Sequence, residues 1–98
     1  KWVNVIAITG EDLIDLIEEP EIDLLKLDVE GLTYEVLESF SLNLRRIKFI
    51  HTEGEYLEVW KGQKLYKDLC ELLTKYGFKE AYKVDMLKEQ CDTVWYRV

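Results

Sequence analysis

The sequence predicts an α/β fold: three-layer and Rossmann-like, with a mainly parallel sheet that ends in an antiparallel hairpin. Three observations predict it. Apolar, β-branched runs alternate with stretches of helical spacing, in the order strand-helix-strand-helix-strand-helix. Two further strand-like runs close the chain, joined by the short polar linker "DMLKEQCD", too short for a helical crossover. Right-handed crossovers then place the segments Ile22 to Val29 and Ile47 to Thr52 side by side.

Each element has a local reason. Trp2 to Ile8 ("WVNVIAI") is almost continuously apolar, as a strand covered on both faces would be. "TGED" (9–12) has the form of a capping box, with Thr9 accepting from the amide three residues on. Leu13, Ile14, Leu16 and Ile17 make a short helical stripe, and Pro20 ends it. Ile22 to Val29 is the second strand. Tyr34, Val36, Leu37 and Phe40 form the next helical stripe. "IKFIHT" (47–52) is the third strand. Leu65, Leu69, Leu72, Leu73 and Tyr76 recur at helical spacing, and Gly77 is a stop signal. Phe78 to Val84 and Thr93 to Val98 form the hairpin, with Trp95 expected in the core.

With 98 residues the chain reads as a single domain over 1–98, large enough for one modest core. Hydrophobic residues make up 48% and charged residues 34%, an ordinary globular balance. The net charge of −7 disfavours nucleic acid and anionic lipid as partners. No run approaches the ~20 apolar residues of a membrane span, and no secretory leader is visible. Cys70 and Cys91 form no CxxC pair, and His51 is the single histidine, so a Cys/His zinc site is not expected. A reducing, cytoplasmic setting fits these features.

In open parallel sheets, ligands bind beyond the carboxyl ends of the strands. The second strand ends in Asp28, Val29, Glu30 and Gly31. The third ends in Glu53, Gly54 and Glu55. Neighbouring strands lie ~4.8 Å apart, so Asp28 and Glu53 are expected on one rim. Other readings stand beside this one. Asp28 or Glu30 also suits the start of the following helix, and Gly31 also suits a plain turn. His51 within its strand reads as a satisfied histidine more readily than as a catalytic base. Tyr56, Trp60 and Tyr66 could floor a pocket, although packing against the last helix is the simpler expectation.

The stretch "IDLLKLDVEGLTYEVLESF", then "IKFIHTEGEY", "LLTKYGF" and "TVWYRV", resembles the C-terminal half of FkbM-type methyltransferases. The family's D-x-E-G turn is matched by Asp28, Glu30 and Gly31. Its glutamate after the following strand is matched by Glu53, and its upstream acidic position by Asp12. Leu32, Thr33 and Tyr34 separate the turn from Glu35, and Glu55 stands where the family often has histidine.

The resemblance implies a class I fold and S-adenosylmethionine-dependent transfer of a methyl group to a small-molecule hydroxyl acceptor. It implies Asp28 as a base or cation ligand and Glu53 as its partner, with a divalent cation such as Mg²⁺ as a further option. Glu30, Gly31, Glu55 and His51 would shape the turn or the substrate site. The family's glycine-rich donor turn has no counterpart here: Gly10, Gly31, Gly54, Gly62 and Gly77 are scattered singly. The isolated chain is therefore expected to bind the donor weakly. The apolar Trp2 to Ile8 and Ile22 to Val29 segments lead to the expectation of a homo-oligomer. A non-catalytic half-domain that self-associates is the competing reading.

Overall fold

The computed structural model describes residues 4–86 and 88–98. Helix α1 (Gly10–Leu16) starts with the expected capping box. The Asp12 amide donates to Thr9 Oγ1 at 3.1 Å, and the Thr9 amide donates to Asp12 Oδ2 at 3.4 Å. Strand β1 (Ile22–Lys26), helix α2 (Thr33–Glu38) and a 3₁₀ helix (Ser41–Arg46) follow. Strand β2 (Ile47–Glu55), helix α3 (Tyr66–Lys75), strand β3 (Phe78–Met86) and strand β4 (Gln90–Arg97) complete the order.

The sheet order is β1-β2-β4-β3. Among the described residues only β1 and β2 are parallel; β4 pairs antiparallel with both β2 and β3. This corrects the expectation of a mainly parallel sheet. The hairpin does not simply extend the edge: its second strand inserts between β2 and β3, so antiparallel pairs outnumber parallel ones.

A second correction concerns the first strand. Residues 4–8 carry no strand, and residues 2 and 3 of that expected segment lie outside the described residues. Ile6 is 95% exposed. A strand needs a partner for its backbone groups. The connection from here to β1 is built on a seven-residue helix, roughly 10 Å long, where a parallel crossover usually takes a dozen residues or more.

Other strand boundaries also move: β1 stops at Lys26 rather than Val29, β2 runs on past Thr52 to Glu55, β3 runs on past Val84 to Met86, and β4 is Gln90–Arg97 rather than 93–98. The extension of β2 follows from its partner: β4 pairs with it as far as Glu55↔Gln90.

The helices lie on one side. α1 touches α2 and the 3₁₀ helix, and α2 touches α3. Under them, Ile50, Thr52, Cys91, Thr93 and Trp95 are buried, with Leu37, Phe40, Leu44, Leu69 and Leu73 packed above. Burying one such aliphatic side chain stabilises the fold by about 1.5–3 kcal/mol. Gly10 belongs to this contact: a Cβ there would meet the Phe40 ring at 2.4 Å. On the opposite side Phe49 is 46% and Leu24 56% exposed. Among the described residues the architecture is therefore two layers, an α/β arrangement without the third layer expected from the sequence.

Candidate active site

The parallel pair positions the site. The Leu27 amide donates to the His51 carbonyl at 2.9 Å, the last such bond linking the β1 segment to β2. The chain then leaves the sheet, and Asp28 stands just beyond the strand end. Val29 to Leu32 form a tight turn, closed by the Leu32 amide donating to the Val29 carbonyl at 2.9 Å. Gly31 takes a φ of +75° in this turn, the left-handed region that glycine enters without a side-chain penalty. The turn points Glu30 outward and starts α2 at Thr33. The α2 N-cap is Leu32, and no side chain caps it. The alternative in which Asp28 or Glu30 caps this helix is thus not what the chain adopts. Instead the Thr33 and Thr52 hydroxyls share a hydrogen bond of 3.1 Å, tying the helix start to β2.

Glu53 and Glu55 lie within β2 rather than after it, and they alternate with the buried Thr52 and Gly54. Strand periodicity therefore sends both carboxylates to the face without helices. Glu53 is half-buried there. Burial, then the neighbouring Asp28 carboxylate, pushes its pKa above the usual carboxylate value. Asp28 and Glu53 thus meet at one rim. Glu55 is raised in the same way, by burial first and then by Glu30. The four acidic positions sort into two neighbouring pairs, Asp28 with Glu53 and Glu30 with Glu55.

His51 faces the same side. Its Nε2 lies 2.8 Å from Asp92 Oδ1. Asp92 also stands opposite Glu53 in the β2–β4 register. Sequence reasoning missed Asp92, which sits in what reads as a polar linker. Its proximity depends on antiparallel pairing across 41 positions of chain. Among the described residues, no three Asp, Glu, His or Cys side chains converge as a metal-binding group. Among the described residues, Asp28 and Glu53 offer a cation two carboxylates with no third His, Cys, Asp or Glu completing a group.

Beyond Gly31 the rim opens into a groove of about 350 Å³, lined by Glu30, Gly31, Glu55, Trp60, Gln63 and Gln90, with Val59 beside them. Tyr56 and Tyr66 pack edge to face at 5.6 Å between ring centres, as expected for residues against the last helix. Trp60 does not join them. It is 45% exposed and forms a wall of the groove. The loop that carries it is braced locally. The Gln63 amide donates to the Trp60 carbonyl at 3.1 Å, the Val59 amide to Gln63 Oε1 at 2.7 Å, and the Gly62 amide to Glu58 Oε1 at 2.9 Å.

No helix among the described residues is long and apolar enough to cross a membrane. No curated protein and no solved structure gives a significant match to the chain. The family model described as the methyltransferase FkbM domain matches residues 2–80. That span includes the Asp28–Gly31 turn, Glu53 and the groove loop, and covers most of the sequence. The chain belongs to the FkbM methyltransferase domain family.

Proposed function

We propose that this chain supplies the acceptor side of an S-adenosylmethionine-dependent O-methyltransferase acting on a hydroxyl group. The observation that carries the reading is the Asp28–Glu53 pair at the carboxyl end of the parallel β1–β2 pair. When bound, S-adenosylmethionine supplies an electrophilic methyl group on a sulfonium centre.

The described residues do not fit the rest of that donor. Gly10 opens a helix, but its amide donates to Ser39 Oγ at 2.7 Å and its Cα faces the Phe40 ring. Gly31 faces Trp60 and Gln63 rather than an empty cradle. The donor would therefore be held by residues other than these.

What these residues can do is handle the acceptor's proton. Asp28 is exposed and can meet a hydroxyl. Glu53, with its raised pKa, accepts and holds a proton at neutral pH more readily than an ordinary carboxylate would. The pair would orient the acceptor oxygen and take up its proton. His51, hydrogen-bonded to Asp92 across the sheet, borders the pair and shapes the same face.

Methyl transfer from labelled donor to a panel of small alcohols tests this, with the whole protein and its Asp28→Asn and Glu53→Gln variants. Each substitution is expected to lower transfer by about 10²–10⁴-fold, the usual worth of general acid–base catalysis. Transfer unchanged in both variants would remove the reading.

A specific observation also favours self-association. β1 is an edge strand, and Leu24 on it stands beside exposed Phe49. Pairing two such edges would bury apolar surface at about 25 cal/mol per Å². Sedimentation is expected to show a dimer that Leu24→Asp dissociates. A clean monomer at high micromolar concentration would sink this second reading.

A further inference from the structure

The groove beside the rim combines three kinds of contact that belong together in one ligand. Glu30 and Glu55 place two carboxylates on it, and none of the ion pairs among the described residues involves either. Neither accepts a hydrogen bond from a described residue. Two neighbouring carboxylates with no ion-pair partner among the described residues favour a cation from solution. Trp60 lines the same groove with a half-exposed indole, the aromatic side chain that binds organic cations best.

Gln63 gives an independent pointer. Its residue is only 7% exposed, and its Oε1 is taken by the Val59 amide. Its Nε2 donates to no described residue, and the side chain lines the groove. An amide held at its oxygen, with a nitrogen that reaches solvent on the groove, is placed to donate to an acceptor oxygen of a ligand. The volume, about 350 Å³, suits a small molecule rather than a bare ion.

We infer that the groove binds a small organic ammonium that also carries a hydroxyl group. The ammonium sits between Trp60 and the Glu30–Glu55 pair, and the hydroxyl oxygen accepts from Gln63 Nε2. Glu53 and Glu55 lie two residues apart on one strand face, so a ligand here lies about 7 Å from the Asp28–Glu53 pair. That this ligand is also the methyl acceptor rests on the transfer reading above. Its binding does not, and is measured without donor.

The test is a titration of the whole protein with choline, followed through the Trp60 indole and Gln63 amide resonances. The controls are the uncharged isostere of choline, with carbon in place of the quaternary nitrogen, and tetramethylammonium, which lacks the hydroxyl. Choline is expected to move both resonances and to bind about tenfold more tightly than the isostere. Tetramethylammonium should move the Trp60 signal and leave the Gln63 side chain unshifted. Trp60→Ala and Glu30→Gln, both at exposed positions, should each weaken choline by about tenfold while circular dichroism stays unchanged. Equal affinity for choline and its isostere would overturn the inference, since the groove would then be merely apolar. Saturating choline with no shift at either resonance would overturn it too. Binding with no methyl transfer would leave the site standing and count against the transfer reading alone.

Discussion

The two faces of the sheet are made of alternating residues on the same strands, and they have opposite characters. On the helix side, Ile50 stands opposite Trp95, Thr52 opposite Thr93 and Gly54 opposite Cys91, all buried. On the other side, Phe49 stands opposite Tyr96, His51 opposite Val94, Glu53 opposite Asp92 and Glu55 opposite Gln90, none of them fully buried. A strand with a period of two can thus anchor the core and present chemistry at once. The comparison teaches that stability and function should separate by residue parity along β2. Neighbouring substitutions there should fail in different ways.

The largest expected effect breaks the covered face. Ile50→Ala removes a fully buried side chain from the core and should cost about 2–5 kcal/mol, read from the shift of a urea unfolding midpoint. Against a typical domain stability of about 5–15 kcal/mol this is severe. Three residues away, Glu53→Gln should leave stability at neutral pH unchanged or slightly higher, because it removes a half-buried charge facing Asp28 and Asp92. A loss as large as that of Ile50→Ala would mean that the open face is structural after all.

A middle-sized effect lies outside both faces. Thr9→Ala removes the side chain that accepts from the Asp12 amide and should cost about 1 kcal/mol, again by denaturant unfolding. Activity should not change, since α1 packs on the helix side, away from the rim. A change in methyl transfer at constant stability would argue against that separation.

The smallest effect sharpens the comparison through pH. Glu53 and Glu55 have pKa values raised in the folded protein, so the native state holds these protons more tightly than the unfolded chain. Their stabilising contribution is fully present below the ordinary value of 4.5 and is lost as pH rises through the raised values. Glu21 works in the opposite sense. Hydrogen bonds from Arg97 and then Lys48 lower its pKa, so its contribution is lost as pH falls. Thermal midpoints between pH 4 and 7 should therefore fall less steeply with rising pH in Glu53→Gln than in the parent. Parallel curves would show that Glu53 does not carry the shift.

Much of the candidate site was legible locally. Asp28, Glu30 and Gly31 follow an apolar run and precede a helical stripe, so a strand, a turn and a helix start are all readable in one stretch. Glu53 could be placed beside Asp28 because a right-handed crossover leaves little choice for two consecutive parallel strands. Strand ends were less legible. The sequence "TEGEY" looks like a turn, yet β2 continues through it because β4 supplies its hydrogen-bond partner as far as Gln90. Trp60 read as a packing residue because aromatic composition does not reveal which side of a loop faces solvent.

By itself, the sequence determined the elements whose cause is local. These are the Thr9–Asp12 capping box, the left-handed turn at Gly31, the stop at Gly77 and the helical stripe of Leu69, Leu72 and Leu73. Each depends on side chains within a few positions of the backbone they control. Tertiary structure alone decided the rest. It left residues 4–8 outside the sheet despite their apolar run, because a strand forms only where a partner edge can be reached. It inserted β4 between β2 and β3 and so brought Asp92 to His51. It also turned one parity of β2 toward the helices and left the other, with Glu53 and Glu55, on the open face. Hydrogen-bonded pairing across tens of residues sets all three, and no local pattern encodes which distant strand will arrive.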